Sequence, residues 1–236
     1  MIGIIIPVIN EAGTIVSLLD YISKNSSLEN ISEVIIVDGG SQDGTCEVVD
    51  LYAKSSFFNI RLISSGKGRA RQMNVGARAA TGNILYFLHA DSFPPNNFDI
   101  SIISEIKKGA TAGCFRMRFN SDHPLLKLSQ WFTQFNLKLF RGGDQSLFIS
   151  SELFDQMKGY DEQYFIYEDC EFINRIYKKY RFTIIPEYIL TSARKYDELG
   201  TWKLQYHFSV IHLKNSLGVS AEKLYQYYER HITPKK

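Results

Sequence analysis

Several stretches of this sequence carry side chains suited to proton transfer, cation binding or phosphate binding. Tyr167-Glu168-Asp169-Cys170-Glu171 gathers three carboxylates at the start of an expected helix. Asp169 there could act as general base on an acceptor hydroxyl, held in place by Glu168. An acidic first turn is also what the helix dipole favours without any chemistry. In Leu88-His89-Ala90-Asp91-Ser92 an apolar run ends in two possible ligands, and strand alternation would send His89 and Asp91 to the same side. Both could then reach one Mg²⁺ or Mn²⁺ ion whose shell is completed by phosphate oxygens. His89 could instead be a hydrogen-bonded structural group, which leaves Asp91 as the stronger ligand candidate.

Gly66-Lys67-Gly68-Arg69-Ala70-Arg71-Gln72-Met73-Asn74 combines glycines, three cations and a helix start, a combination suited to a diphosphate. It lacks the third glycine of the dinucleotide fingerprint and the GK[ST] of a P-loop, and Lys67 and Arg69 could be plain solvated charges. Asp38, directly after an apolar run, could accept a hydrogen bond from a base or ribose, or could form the turn before Gly39-Gly40. Asn10 and Glu11 occupy the equivalent place after the first apolar run. Gly142-Gly143-Asp144-Gln145 reads as an acceptor-side wall or as a tight turn.

These residues need a scaffold that brings them together. Apolar runs over 2–7, 34–37, 60–64 and 84–88 alternate with helical spacing at Ile15, Leu18, Leu19 and Ile22, at Val48, Val49 and Tyr52, and over 69–80 with Gly82 as its cap. Pro7 is expected to end the first strand. Unbroken apolar strands alternating with helices predict an α/β fold with a mainly parallel central sheet and helices on both faces. Ligands in such sheets sit beyond the carboxyl ends of the strands, where the loops named above lie. The second half reads as mixed: helices over 98–107 and 168–180, and strands over 112–119, 145–149, 182–186 and 189–192. Terminal helices are expected over 202–217 and 221–230. The amphipathic stretch 124–140, and Trp202, Tyr206, Val210 and Leu213, would pack on the core, or would cover a lipid-linked acceptor or touch a membrane surface.

The 236 residues, 44% hydrophobic and 22% charged, suffice for one sizeable core, expected as a single domain over 1–236 with parts 1–92, 93–198 and 199–236. A net charge of +2 supplies no field for nucleic-acid binding, so a phosphate ligand must be held locally. Cys46, Cys114 and Cys170 have no CxxC spacing, consistent with reduced thiols, and the N-terminus lacks a signal-peptide pattern. A cytoplasmic location is expected, with the inner face of the membrane as a possible contact.

Taken in order, Ile6-Pro7-Val8-Ile9-Asn10-Glu11, Val37-Asp38-Gly39-Gly40-Ser41, Phe87-Leu88-His89-Ala90-Asp91 and Glu168-Asp169 resemble the family 2 glycosyltransferases of GT-A fold. Gly68-Arg69-Ala70-Arg71-Gln72-Met73-Asn74, Gly143-Asp144-Gln145 and Thr191-Ser192-Ala193-Arg194-Lys195 are similar to a short bacterial subfamily labelled arsenosugar-biosynthesis glycosyltransferases. The resemblance implies an inverting, hexosyltransferase-like enzyme using a UDP- or GDP-sugar and Mg²⁺ or Mn²⁺. It places Pro7, Asn10, Glu11 and Asp38 around the nucleoside, Arg71 at the diphosphate, Asp91 on the metal and Asp169 as base. Asp38-Gly39 stands where most relatives carry Asp-Asp, and His89-Ala90-Asp91 where most carry Asp-x-Asp, so this site has fewer carboxylates. Nucleotidyl transfer to a sugar phosphate and non-catalytic binding of a nucleotide sugar are the competing readings.

Overall fold

Strands that are apolar at every position must be covered on both faces, and the sheet of this protein is built that way. The computed structural model describes residues 1–233; residues 234–236, the end of the expected C-terminal part, lie outside the described residues. The strands are β1 (Ile2–Val8), β2 (Ile31–Asp38), β3 (Ile60–Ser64), β4 (Ile84–Phe87), β5 (Ser92–Phe93), β6 (Ala112–Phe119), β7 (Leu147–Ser150) and β8 (Thr183–Thr191). They form one sheet in the order β3-β2-β1-β4-β7-β6-β8-β5. β3, β2, β1 and β4 run parallel, β7 is antiparallel to both its neighbours, β6 and β8 are parallel, and β5 is antiparallel to β8. The parallel first half and mixed second half match the sequence expectation.

The helices are α1 (Ile15–Asn25), α2 (Thr45–Ser55), α3 (Arg69–Ala79), α4 (Phe98–Lys107), α5 (Pro124–Phe132), α6 (Ser151–Gln156), α7 (Glu168–Tyr177), α8 (Arg194–Leu199), α9 (Thr201–Ser216) and α10 (Ala221–His231). Alternation along β1 sends Ile2, Ile4, Ile6 and Val8 to the layer of α1, α2 and α4. Ile5, with Ile35 and Val37 of β2, faces α3, α6 and α7. Leu204 and Ile211 of α9 join Leu224 of α10 in a third cluster, which packs on Tyr164, Ile166 and Tyr167 ahead of α7. Among the described residues no helix is long and apolar enough to cross a membrane.

Four local expectations are corrected. Pro7 does not end β1, which continues to Val8. The Ile5 carbonyl accepts from Leu88 on the β4 side and the Val8 carbonyl from Gly39 on the β2 side, so the missing N–H of Pro7 faces β4 beyond the last pair, Ile5 with Phe87. Gly82 is not the cap of α3: the helix stops at Ala79, and the Ala80 N–H donates to the carbonyls of Gly76 and Ala77. The two short strands expected over 182–192 are one strand, β8, whose register with β6 shifts between Ile185 and Tyr188, around Pro186. The stretch over 124–140 is not one helix, since α5 ends at Phe132 and only a 3-10 turn, Lys138–Phe140, follows.

The carboxyl ends of β1 and β2 are tied by a side chain. Gln72 of α3, 4% exposed, donates its amide to the carbonyls of Val8 and Val37, both at 2.8 Å. These carbonyls would otherwise be buried without that donor. Gln72→Ala is therefore expected to cost about 1–3 kcal/mol and to lower the melting temperature by roughly 2–10 °C. Calorimetric melting of the variant beside the native chain measures this, and an unchanged midpoint would refute the tie.

Candidate active site

The first turn of α7 is set by a strained residue. Tyr167 has φ 68, a conformation costly for a bulky side chain, and its hydroxyl is hydrogen-bonded to Nδ1 of His212 at 2.9 Å. Glu168 and Asp169 follow, both buried. Arg69, at the start of α3, donates from Nη1 to Glu168 Oε1 at 3.1 Å and lies 3.9 Å from Asp169 Oδ2. His89 places Nε2 3.6 Å from Asp169 Oδ2 and Nδ1 3.6 Å from Asp144 Oδ1. Gly143 closes the cluster, because a Cβ there would overlap Asp169 Oδ2 and His89 Cε1. The turn Gly143–Gln145 can approach the carboxylate only with glycine at its head.

Protonation in this cluster follows from burial and charge. Burial raises the Glu168 carboxyl, opposed by Arg69 and reinforced by Asp169, and it is pushed up to about 7. Burial and Arg69 work against the His89 imidazolium, but the carboxylates of Asp144 and Asp169 outweigh them and raise it to about 9. Burial likewise raises Asp144, yet His89 holds it below the usual carboxylate range. At neutral pH His89 is thus a cation between two anions.

The turn after β4 separates the two residues of the expected shared cation site. The chain leaves β4 at Phe87 and turns, with the Ser92 N–H donating to the His89 carbonyl at 3.1 Å, so strand alternation does not reach residues 89 and 91. Each imidazole nitrogen of His89 faces a carboxylate, Asp144 on one side and Asp169 on the other. Asp91 stays near this cluster, close enough for its charge to favour the Arg69 guanidinium. Among the described residues no three His, Cys, Asp or Glu side chains group to hold a metal. One carboxylate still fits a cation whose remaining ligands come from a diphosphate.

The donor-side loops are interlocked. The backbone N–H groups of Asn10 and Glu11 donate to Ser41 Oγ and Thr45 Oγ1, both at 2.9 Å, and Gln42 N–H donates to Asn10 Oδ1 at 2.9 Å. Asp38, 6% exposed, accepts from the backbone of Gly40 and Ser41 at 3.0 Å, so the turn reading holds for it. Burial raises its carboxyl, and these donors overcome that and lower it. Buried Pro7 lies one residue before the end of β1, opposite Val37.

Other residues expected at the phosphate or on the acceptor side have partners within the chain. Arg71 donates to Glu162 at 3.1 Å. Asn74, buried, exchanges hydrogen bonds with the Tyr160 backbone at 2.9 Å. Gln145 is 3% exposed and pairs with the Arg141 guanidinium and the Phe140 carbonyl, bracing the loop from behind. Lys67 is exposed. Sequence reading missed the supporting roles of Gln72, Arg141 and Glu162, and the reach of Arg194 to Glu11 at 3.6 Å; Gln72 and Arg194 stood in motifs that could have flagged them.

A cleft of about 1020 Å³ opens onto Arg69, His89, Asp144, Glu168 and Asp169. Asp38, Asp91, Asn10 and Glu11 do not line it; they lie on loops at the carboxyl ends of β1, β2 and β4 beside it. A buried carboxylate, a neighbouring imidazole and a void thus adjoin the loops at the carboxyl ends of β1, β2 and β4.

The family model described as glycosyl transferase family 2 matches residues 3–167. Glycosyltransferase AglE of Haloferax volcanii is 33% identical over 95 residues, 39% of this chain and 31% of that protein. The match thus spans about a third of that curated relative. Staphylococcus aureus TarS 1–349 in complex with UDP superimposes with a TM-score of 0.66 at 16% identity, covering 81% of this chain and 60% of that one. The mannosyltransferase PcManGT from Pyrobaculum calidifontis, in complex with GDP-Man and Mn²⁺, gives 0.72 at 20% identity, covering 92% and 64%. At these identities the likeness fixes the GT-A fold.

The pairing of His89 has a pH signature in the ligand-free protein. Its pKa is raised on folding from the ordinary 6.5 to about 9, so its stabilisation is full below pH 6.5 and is lost as pH rises through 9. The melting-temperature difference between native chain and His89→Gln should be largest at pH 6 and fade by pH 9.5. A difference constant with pH would mean that the pairing is not ionic.

Proposed function

The chain belongs to glycosyl transferase family 2, and we propose that it transfers a sugar from a UDP- or GDP-linked donor to an acceptor hydroxyl with inversion of the anomeric centre. The observation that carries the reading is Asp169, a buried carboxylate held between Arg69 and His89 at the floor of a cleft large enough for an acceptor. Asp169 takes the proton as the acceptor oxygen bonds to the anomeric carbon. The bond from that carbon to the diphosphate oxygen breaks, and the nucleoside diphosphate departs with the electron pair. A single displacement inverts the centre.

Arg69 and His89 orient Asp169, and Gly143 and Asp144 wall the acceptor side. Asn10, Glu11, Asp38 and Pro7 border the nucleoside, with Lys67 the cation left free for phosphate. Asp91 would hold Mg²⁺ or Mn²⁺, which supplies positive charge against the diphosphate as it leaves. The Mn²⁺ and GDP-Man of PcManGT, and the UDP of TarS, support this choice of donor and metal. A hexose is the sugar we expect, residues 1–236 act as one transferase domain, and the acceptor is lipid-linked and met at the inner face of the membrane. The arsenosugar label adds no substrate to this reading.

A panel of UDP- and GDP-sugars with Mg²⁺ or Mn²⁺, read by nuclear magnetic resonance of the products, tests the class: pyrophosphate release would mean nucleotidyl transfer, and binding without turnover a sensor. Asp169→Asn should lower turnover by about two orders of magnitude or more while nucleoside diphosphate binds as before. Full activity in that variant removes Asp169 as base. Asp91→Ala should abolish the metal-dependent part of nucleoside-diphosphate affinity in titration calorimetry, and retention of that part would show that Asp91 is not the ligand.

A further inference from the structure

The hairpin of α9 and α10 packs on the chain just ahead of the buried acidic pair. Its apolar cluster, built on Leu204, Ile211 and Leu224, meets Tyr164, Ile166 and Tyr167, the residues that lead into α7. α7 itself begins without the usual means of fixing a helix start. Its N-cap residue, Tyr167, has φ 68 and ψ 6 where an N-cap residue is ordinarily extended, and no side chain caps the helix. The first helical bond runs from the Glu171 N–H to the Tyr167 carbonyl at 2.9 Å, so the rotation about Tyr167 decides where Glu168 and Asp169 point. Asp169 Oδ2 stands 3.9 Å from Arg69 and 3.6 Å from His89, and a displacement of only ~1 Å at a reacting group is enough to lower turnover severely.

A bulky residue keeps a left-handed conformation only where its surroundings hold it there. The hairpin supplies two such holds. The Tyr167 hydroxyl is hydrogen-bonded to Nδ1 of His212 on α9 at 2.9 Å, and the two rings meet edge to face with centroids 4.9 Å apart. Burial lowers the His212 pKa, which leaves the neutral imidazole as the partner of that hydroxyl. Two residues earlier, the Phe165 ring packs on Tyr225 of α10 at 5.2 Å between centroids. Phe165 also lies against Gly68, the residue ahead of Arg69, where a Cβ would come 3.5 Å from its ring. The hairpin thus bears on the approach to Asp169 and, through Phe165, on the approach to Arg69.

We propose that His212 is a positioning residue for Asp169, acting through the Tyr167 hydroxyl, and that the C-terminal hairpin sets the geometry of the base. This deepens the sugar-transfer reading and rests on it for what Asp169 does.

Hydrolysis of the donor that the nucleotide-sugar panel identifies, with water as acceptor, gives kcat and KM, and calorimetry gives the Kd of UDP or GDP. Exchange of the Glu171 amide, followed by nuclear magnetic resonance, reports the start of α7 without reference to activity. His212→Leu and Tyr167→Phe should each lower kcat by about tenfold to a hundredfold, with donor KM and nucleoside-diphosphate Kd unchanged and faster exchange at Glu171. The double variant should fall no further than the worse single one, because both remove the same bond. His212→Asn, whose amide sets a polar atom near the place of Nδ1, should restore most of the native kcat. His207→Leu, which removes the α9–α10 bond from His207 to the Tyr227 hydroxyl at 2.8 Å, should leave kcat as it is. Native kcat in Tyr167→Phe, an equal loss in His212→Asn or His207→Leu, or a loss of kcat matched by weaker nucleotide binding overturns the proposal. Should His212→Leu fail to fold, Tyr167→Phe carries the same expectations. A native chain that turns over no donor would remove the sugar-transfer reading, and exchange then decides alone: unchanged Glu171 protection in Tyr167→Phe overturns the positioning role.

Discussion

Two cations and three carboxylates meet at the floor of the cleft, and the rest of the structure has to satisfy that meeting. Removing charges from water costs several kcal/mol each unless partners are well placed. Arg69 and His89 must therefore sit between Glu168, Asp169 and Asp144, and each arrives from a different element. The turn after β4 brings His89, α3 brings Arg69, the strained start of α7 brings the acidic pair, and Gly143 lets its loop close over them. Burial pushes the Glu168 carboxyl up, which favours its neutral form beside Asp169. Arg69 and His89 are engaged with three carboxylates between them, Glu168, Asp169 and Asp144.

The donor side answers a different constraint. Its loops leave parallel strands at one edge and are locked to each other through Ser41, Thr45 and Asn10, with backbone N–H groups as the donors. Their shape depends little on the charged cluster. The cleft combines the charged cluster with an apolar lining that is both aromatic and aliphatic, Phe132 and Phe140 beside Leu128 and Leu139. A rigid floor fixes the reacting geometry, and an apolar rim gains from whatever covers it.

Much of this was legible from residue order. Continuous apolar runs revealed the sheet because a strand buried on both faces has no polar alternation to hide it, and Asp169 stood out as part of an acidic pair opening a helix. Partners remote in sequence were not legible. Arg69 looks like a phosphate ligand beside two glycines, but its carboxylate lies 99 residues on, and Asn74 is claimed by a backbone 86 residues away. His89 and Asp91 read as a pair only while the strand is assumed to continue, and the turn that separates them depends on a hydrogen bond closed after β4 ends. Local pattern reports periodicity and composition; it does not report which distant charge arrives first.

Gln72 also limits what its neighbour can become. A Cβ on Gly39 would lie 3.0 Å from the Gln72 amide, so the residue after Asp38 is held small by the same side chain that ties the strand ends. An aspartate at position 39 would crowd the glutamine, and losing the glutamine would remove its amide from the carbonyls of Val8 and Val37, the first of which keeps only the Gly39 N–H. The two positions are epistatic, and the mutational route between a one-carboxylate and a two-carboxylate nucleotide pocket passes through a less stable intermediate whichever step comes first.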